Sequence, residues 1–104
     1  MTYASYREIE SDIVRWAEAR KIIPNAKPYT QLLKAVSEMG ELCDAEIKGS
    51  DLDVEDAVGD VMVCLIIYCA LKDINVEQCM RLAYNTIKNR KGTLTPEGVF
   101  VKEQ

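Results

Sequence analysis

The stretch that decides the fold is Val61-Met62-Val63-Cys64-Leu65-Ile66-Ile67-Tyr68-Cys69-Ala70-Leu71, preceded by Asp56-Ala57-Val58-Gly59-Asp60. The first of these segments carries no formal charge, is long enough for about three helical turns, and is too short to span a bilayer. It is apolar around its whole circumference, with Tyr68 the only partly polar side chain, and a helix of that kind must be covered on all sides. The helix is expected to start from an N-cap at Asp53 and run to about Lys72. Outward from it, Asn75 and Gln78 have capping-box spacing and open a further helix ending near Lys91-Gly92. On the N-terminal side, Gly49 is a natural stop for a helix from about Thr30 to Lys48, whose apolar stripe is Leu32, Val36, Met39, Cys43 and Ile47. A loop with Pro24 and Pro28 precedes it. Ser5 with Glu8 opens the first helix, to about Arg20, with Tyr6, Ile9, Ile13, Trp16 and Ala17 on one face. The tail from Thr93 to Gln104, with Pro96, Gly98 and Val99-Phe100-Val101, reads as a short extended arm.

These patterns predict one all-α domain over residues 1–104, a four-helix bundle-like protomer. Three short neighbours cannot fully cover the apolar helix in so small a chain. Completion by homo-oligomerisation, as a homodimer or homotetramer, is the simplest remedy.

Composition narrows the chemistry. Seventeen acids against thirteen bases give a net charge of −4, which argues against a nucleic-acid binder. Histidine is absent, so Ser-His-Asp and Cys-His nucleophiles and imidazole metal sites are excluded. The four cysteines form no CxxC pair, and three sit in apolar runs, where a reduced thiol acts as a small core hydrophobe. Glu8, Glu10 and Asp12 occupy the place where a signal peptide needs apolar residues. The expectation is a cytoplasmic protein with no membrane partner.

Glu38 and Glu41 (i, i+3) and Asp56 and Asp60 (i, i+4) are each spaced to share one helix face. Gln31, Lys34, Glu38 and Glu41 fall within an arc of roughly 80°, nearly opposite the apolar stripe of their helix. On its own that arc reads as a solvated face. Asp56 and Asp60, however, continue the line of Val63, Ile67 and Leu71 into apolar territory, and residues 49–71 contain no Lys or Arg. Carboxylates there need a counter-charge. Magnesium, an oxygen-seeking cation that leaves positions open for phosphate, is the economical choice. Asp51 and Asp53 are explained by turn and capping chemistry. Arg81, Asn85 and Lys88 share a face of the last helix, and Lys88, Arg90 and Lys91 cluster at its end, where cations also offset the helix dipole.

The order Gln31-x-x-Lys34-x-x-x-Glu38-x-x-Glu41-Leu42, then Asp56-x-x-Gly59-Asp60-Val61 and an apolar helix, then Asn85-x-x-Lys88-x-Arg90-Lys91-Gly92, resembles the MazG-like nucleotide pyrophosphohydrolases of the all-α nucleoside triphosphate pyrophosphatase superfamily, the short phage- or prophage-type members above all. One position departs from the family pattern: its second motif, ExxD, would put glutamate where Ala57 stands, so the ligand role passes to Asp56, with Glu55 the poorer candidate. The resemblance implies magnesium-dependent hydrolysis of a nucleoside triphosphate between the α and β phosphates, with Glu38, Glu41, Asp56 and Asp60 as metal ligands. It implies that one of the glutamates, Glu41 before Glu38, activates water. It also puts Gln31 and Lys34 on the substrate side, Lys34, Lys88, Arg90 and Lys91 against phosphates, and Asn85 on sugar or phosphate. Trp16 either stacks on a base or packs in the core. The reading of a different class is a non-catalytic helical oligomer that binds nucleotide or a protein partner.

Overall fold

The computed structural model describes residues 5–103. Five helices and one hairpin follow in order: α1 (Tyr6–Ala19), α2 (Ile22–Asn25), α3 (Pro28–Lys48), α4 (Asp51–Leu71), α5 (Val76–Ile87), β1 (Gly92–Leu94) and β2 (Phe100–Lys102). The chain is all-α apart from that hairpin. It divides into two compact units, one ending at Ile74 and one beginning at Asn75. Among the described residues no helix is long and apolar enough to cross a membrane.

The first unit is built on α4. Residues 61–71 are buried or half-buried except Leu65, with Cys64, Ile66 and Ile67 at 3% exposure or less. Two neighbours supply most of that cover. Helix α1 brings Ala17, fully buried, and half-buried Ile13. Its N-cap is as the sequence implies, with the Ser5 hydroxyl accepting from the Glu8 N–H at 3.2 Å. Helix α3 packs along α4 as an antiparallel hairpin, because only Gly49 and Ser50 separate the two. Gly49 takes the left-handed conformation (φ +73°) that ends α3. Ser50 then caps α4 at once by accepting from the Asp53 N–H at 3.4 Å. The cap is therefore Ser50 and not Asp53, which lies in the first turn, where its charge suits the helix dipole. Helix α3 starts two residues earlier than expected, since Pro28 fits the first turn, where no N–H is needed. The Pro24 loop contains the one-turn α2.

The packed face of α3 is not its apolar stripe. The half-buried or buried positions are Gln31, Ala35, Glu38, Leu42 and Ala45, whereas Leu32, Val36, Met39, Cys43 and Ile47 are all exposed, Val36 at 72% and Ile47 at 83%. Small residues Ala35, Ala45 and Ala57 let the two helices approach, and the acids turn inward with them. Cys43 and Cys79 are likewise exposed, against the expectation of core thiols; Cys64 is buried, Cys69 is half-buried, and all four are free.

The second unit opens at the expected Asn75 cap, which accepts from the Gln78 N–H at 2.8 Å. Helix α5 ends at Ile87, a turn short of the Lys91-Gly92 end read from the sequence, and Lys88 to Lys91 form a turn into β1. The arm is thus folded back on itself as an antiparallel pair, Gly92 opposite Lys102, Thr93 opposite Val101 and Leu94 opposite Phe100. Its reversal is a turn with Pro96 in second position and Gly98 at φ +86°, closed by Gly98 N–H to Thr95 C=O at 2.9 Å. Gln104, the last residue of the expected arm, lies outside the described residues.

Gly92 is required by close approach: a Cβ there would run into the Val101 carbonyl oxygen and the Phe100 ring. Gly92→Ala should open the hairpin at a cost of about 1–3 kcal/mol of overpacking. Hydrogen exchange should show the 92–102 amides losing protection while α3 and α4 keep theirs; unchanged hairpin protection would contradict this packing.

Candidate active site

The short turn at Gly49 sets the register of the α3–α4 seam. Glu38 and Asp60 each lie eleven residues from Gly49, so each stands about 16 Å along its helix from the turn. Below them, a concavity of about 270 Å³ is lined by Glu41, Asp44, Ala45, Lys48, Asp53, Asp56, Ala57 and Asp60. The two walls have the same helical rhythm, 41/44/48 on α3 and 53/56/60 on α4, which is i, i+3, i+7 on each side.

Glu38 is largely covered, its side chain 15% exposed. One oxygen, Oε1, lies 3.9 Å from Lys34 Nζ, an ion pair open to solvent on the lysine side. The other, Oε2, is buried without a hydrogen-bond partner. The Glu41 carboxyl within hydrogen-bonding reach raises the Glu38 pKa most. Partial desolvation and the charges of Glu41 and Asp60 raise it further, and Lys34 opposes them. One turn beyond Asp60 on α4, Cys64 is buried, 1% exposed. Burial, ahead of the opposing Lys34 charge and the nearby acids, pushes its thiol pKa up and keeps it neutral.

Of the sequence-derived metal ligands, Glu41, Asp56 and Asp60 line one concavity and Glu38 interacts with Glu41 and Asp60. Glu55 is exposed and outside that lining, whereas Ala57, where the family pattern has glutamate, is 6% exposed and forms part of the floor. Among the described residues no three acidic or thiol side chains stand in a finished ligand cluster. The donor set nevertheless fits a hard divalent cation: all oxygens, mutually repelling, with one buried oxygen unsatisfied. Asp44, Lys48 and Asp53 also line the site and were missed; their spacing from Glu41 and Asp56 was the available signal.

Gln31 is half-buried on the inner face of α3, and Lys34 is exposed beside Glu38. Asn85, Lys88, Arg90 and Lys91 belong to the second unit and are all exposed. Trp16 is 44% exposed, with the Arg20 guanidinium 4.7 Å from its ring centre. It lines a separate apolar concavity with Ile9, Asp12, Ile13 and Val63. It is neither a core residue nor part of the acidic lining.

No family model matches the sequence. Over 64 residues the chain is 31% identical to an uncharacterised 18.2 kDa protein from the rep-hol intergenic region of Haemophilus phage HP1, a match covering 62% of this chain. The chain spans 39% of that relative's length. Its structure is similar to that of the cyanophage S-2L MazG-like pyrophosphohydrolase, which was solved bound to dGDP with three catalytic Mn2+ ions per active site. The TM-score is 0.67 at 20% identity, covering 98% of this chain and 100% of that one. The fold is therefore the all-α, MazG-like one.

The raised Glu38 pKa has a consequence for stability. A carboxyl whose folded-state pKa lies above its ordinary 4.5 contributes fully only below that value, and loses the contribution as pH rises through the raised pKa. Above the raised pKa, the charge on Glu38 is a net cost to the metal-free fold. Glu38→Gln should raise the melting temperature of metal-free protein at pH 7 and change it little near pH 4; a drop at pH 7 would contradict the strain assigned to this carboxylate.

Proposed function

We propose that this chain is a divalent-metal-dependent nucleotide pyrophosphohydrolase acting on nucleoside triphosphates, with magnesium as the working ion. The observation that carries the reading is the convergence of Glu38, Glu41 and Asp60 across the α3–α4 seam, with one buried Glu38 oxygen left without a partner. The MazG-like fold, and the nucleotide and metal in the cyanophage neighbour, support it. Glu38, Glu41, Asp56 and Asp60 would hold the ion, which when bound neutralises phosphate charge and polarises the α-phosphoryl group. Glu41, the more exposed of the two glutamates, accepts the proton of a water attacking the α-phosphorus. The α–β anhydride bond breaks, and pyrophosphate leaves with the bonding electron pair. Lys34 offers its ammonium beside Glu38, and Lys88, Arg90 and Lys91 act on phosphates, with Asn85 on the sugar or a phosphate. Gln31 orients substrate from the inner face of α3.

Pyrophosphate release from a panel of triphosphates should require Mg2+ or Mn2+ and disappear on chelation. Glu38→Gln and Asp60→Asn should each lower turnover by about 100-fold or more, because each removes charge that holds the ion. Full metal-dependent turnover in both variants would remove the site. The buried Ala57 favours a second reading, a nucleotide-binding oligomer without turnover. It predicts metal-dependent thermal stabilisation by nucleotides and no pyrophosphate.

A second copy of the chain covers the exposed α3 stripe in this proposal, giving a homodimer or homotetramer; isolated apolar patches of that extent mark association surfaces. Light scattering after size exclusion should give a multiple of 11.7 kDa, and Val36→Glu with Met39→Glu should reduce it to the monomer. A wild-type monomer at micromolar concentration would refute the assembly.

A further inference from the structure

The second unit is the basic part of an acidic chain, with five Lys and Arg against three Glu from Asn75 onward. We propose that it carries an anion cradle for the end of a polyphosphate chain, in which Lys102 of β2 is a binding residue beside Arg90 and Lys91. Taking a triphosphate as the ligand's source rests on the function proposed above; the cradle itself does not.

The cradle is made by the way α5 stops. The Arg90 N–H donates to the Ile87 carbonyl at 2.8 Å, which turns the chain out of the helix and into β1. Pairing of Gly92 with Lys102 then brings β2 back alongside, and the Glu103 N–H donates to the Lys91 carbonyl at 2.8 Å, fixing the end of the ladder. Residues eleven positions apart, Lys91 and Lys102, so come to line one open concavity of about 630 Å³ with Thr86, Asn89, Arg90 and Glu103. The Thr86 hydroxyl already donates to the Leu82 carbonyl at 3.1 Å, so the neutral donor offered here is the Asn89 amide. Glu103 is the one acid of the lining. Among the described residues Arg90, Lys91 and Lys102 form no ion pair.

Three basic side chains around one open space create a local positive potential. Phosphoryl oxygens satisfy them through charge-assisted hydrogen bonds, bidentate from Arg90 and point-like from the lysines. Three cations suit the charge of a di- or triphosphate end better than that of a single phosphate. A nucleic-acid backbone asks for an extended basic track with stacking platforms, not a compact cluster on an acidic chain. The α5 end and the hairpin therefore act as one device, and Lys102 extends the basic run into a part of the chain that its local sequence does not mark.

The test is calorimetric titration of the full chain with sodium tripolyphosphate in metal-free buffer. Lys102→Gln should weaken binding about tenfold, the usual scale of one charge-assisted contact. Glu103→Gln should strengthen it, and Lys27→Gln, which removes the same charge before α3, should change it less than about twofold. Parallel titrations with a nucleoside triphosphate and with pyrophosphate identify the source: comparable binding of the triphosphate points to substrate, and tighter binding of pyrophosphate points to product. Equal effects of Lys102→Gln and Lys27→Gln, no tripolyphosphate binding, or tighter binding of a DNA oligonucleotide would each overturn the cradle. Because no divalent ion is present, a chain that fails to hydrolyse triphosphates leaves this result intact, and the two proposals fail separately.

Discussion

Two residues between α3 and α4 leave those helices no freedom but to run back along each other, and that constraint fixes which side chains meet. Once Gly49 turns in the left-handed conformation and Ser50 caps α4, Glu38 must lie near the level of Asp60. The acids are held by this register, not by attraction, since each repels its neighbours. What draws the helices together is apolar: Ala45 of α3 and Ala57, Val61, Cys64 and Ile67 of α4 are buried. Apolar packing therefore holds a like-charge cluster in place, and Glu38, with its raised pKa and unpartnered oxygen, records the cost. A site destabilised in isolation is one a cation can stabilise on binding.

The same seam explains the placing of small residues. Ala57 sits on the floor between the two acidic walls, where a longer side chain would occupy the space they surround. Asp56, one position earlier on α4, lines the concavity that Glu55 does not reach. Asp56 and Asp60 line that concavity together because i, i+4 keeps two side chains on a common face as well as i, i+3 does.

Much of the fold was legible because its signals are local. The Ser5 and Asn75 caps, the Gly49 stop and the charge-free run of α4 each depend on neighbours within one or two turns. The four acids could be brought together on paper by helical spacing alone. What escaped was non-local. Helix α5 ends at Ile87, where the Arg90 N–H bond to the Ile87 carbonyl turns the chain toward a strand that pairs with distant Phe100–Lys102, and Lys88 to Lys91 carry no Gly or Pro to mark that stop. The inward face of α3 escaped for a different reason. Hydropathy points to Leu32, Val36, Met39, Cys43 and Ile47, yet Gln31, Ala35, Glu38, Leu42 and Ala45 face α4. A stripe reading reports which side avoids water, not which element covers it.

Around α3, then, two faces of opposite solubility lie on different sides of one helix, both kept in place by the same helical period. Inserting or deleting one residue between Gln31 and Ala45 would rotate everything beyond it by about 100°, swinging the acids outward and greasy side chains into their place. A one-residue change of length is therefore costly inside this helix, whereas the prolyl connection ahead of Pro28 and the hairpin tip at Pro96–Gly98 can take an added residue without rotating a helix.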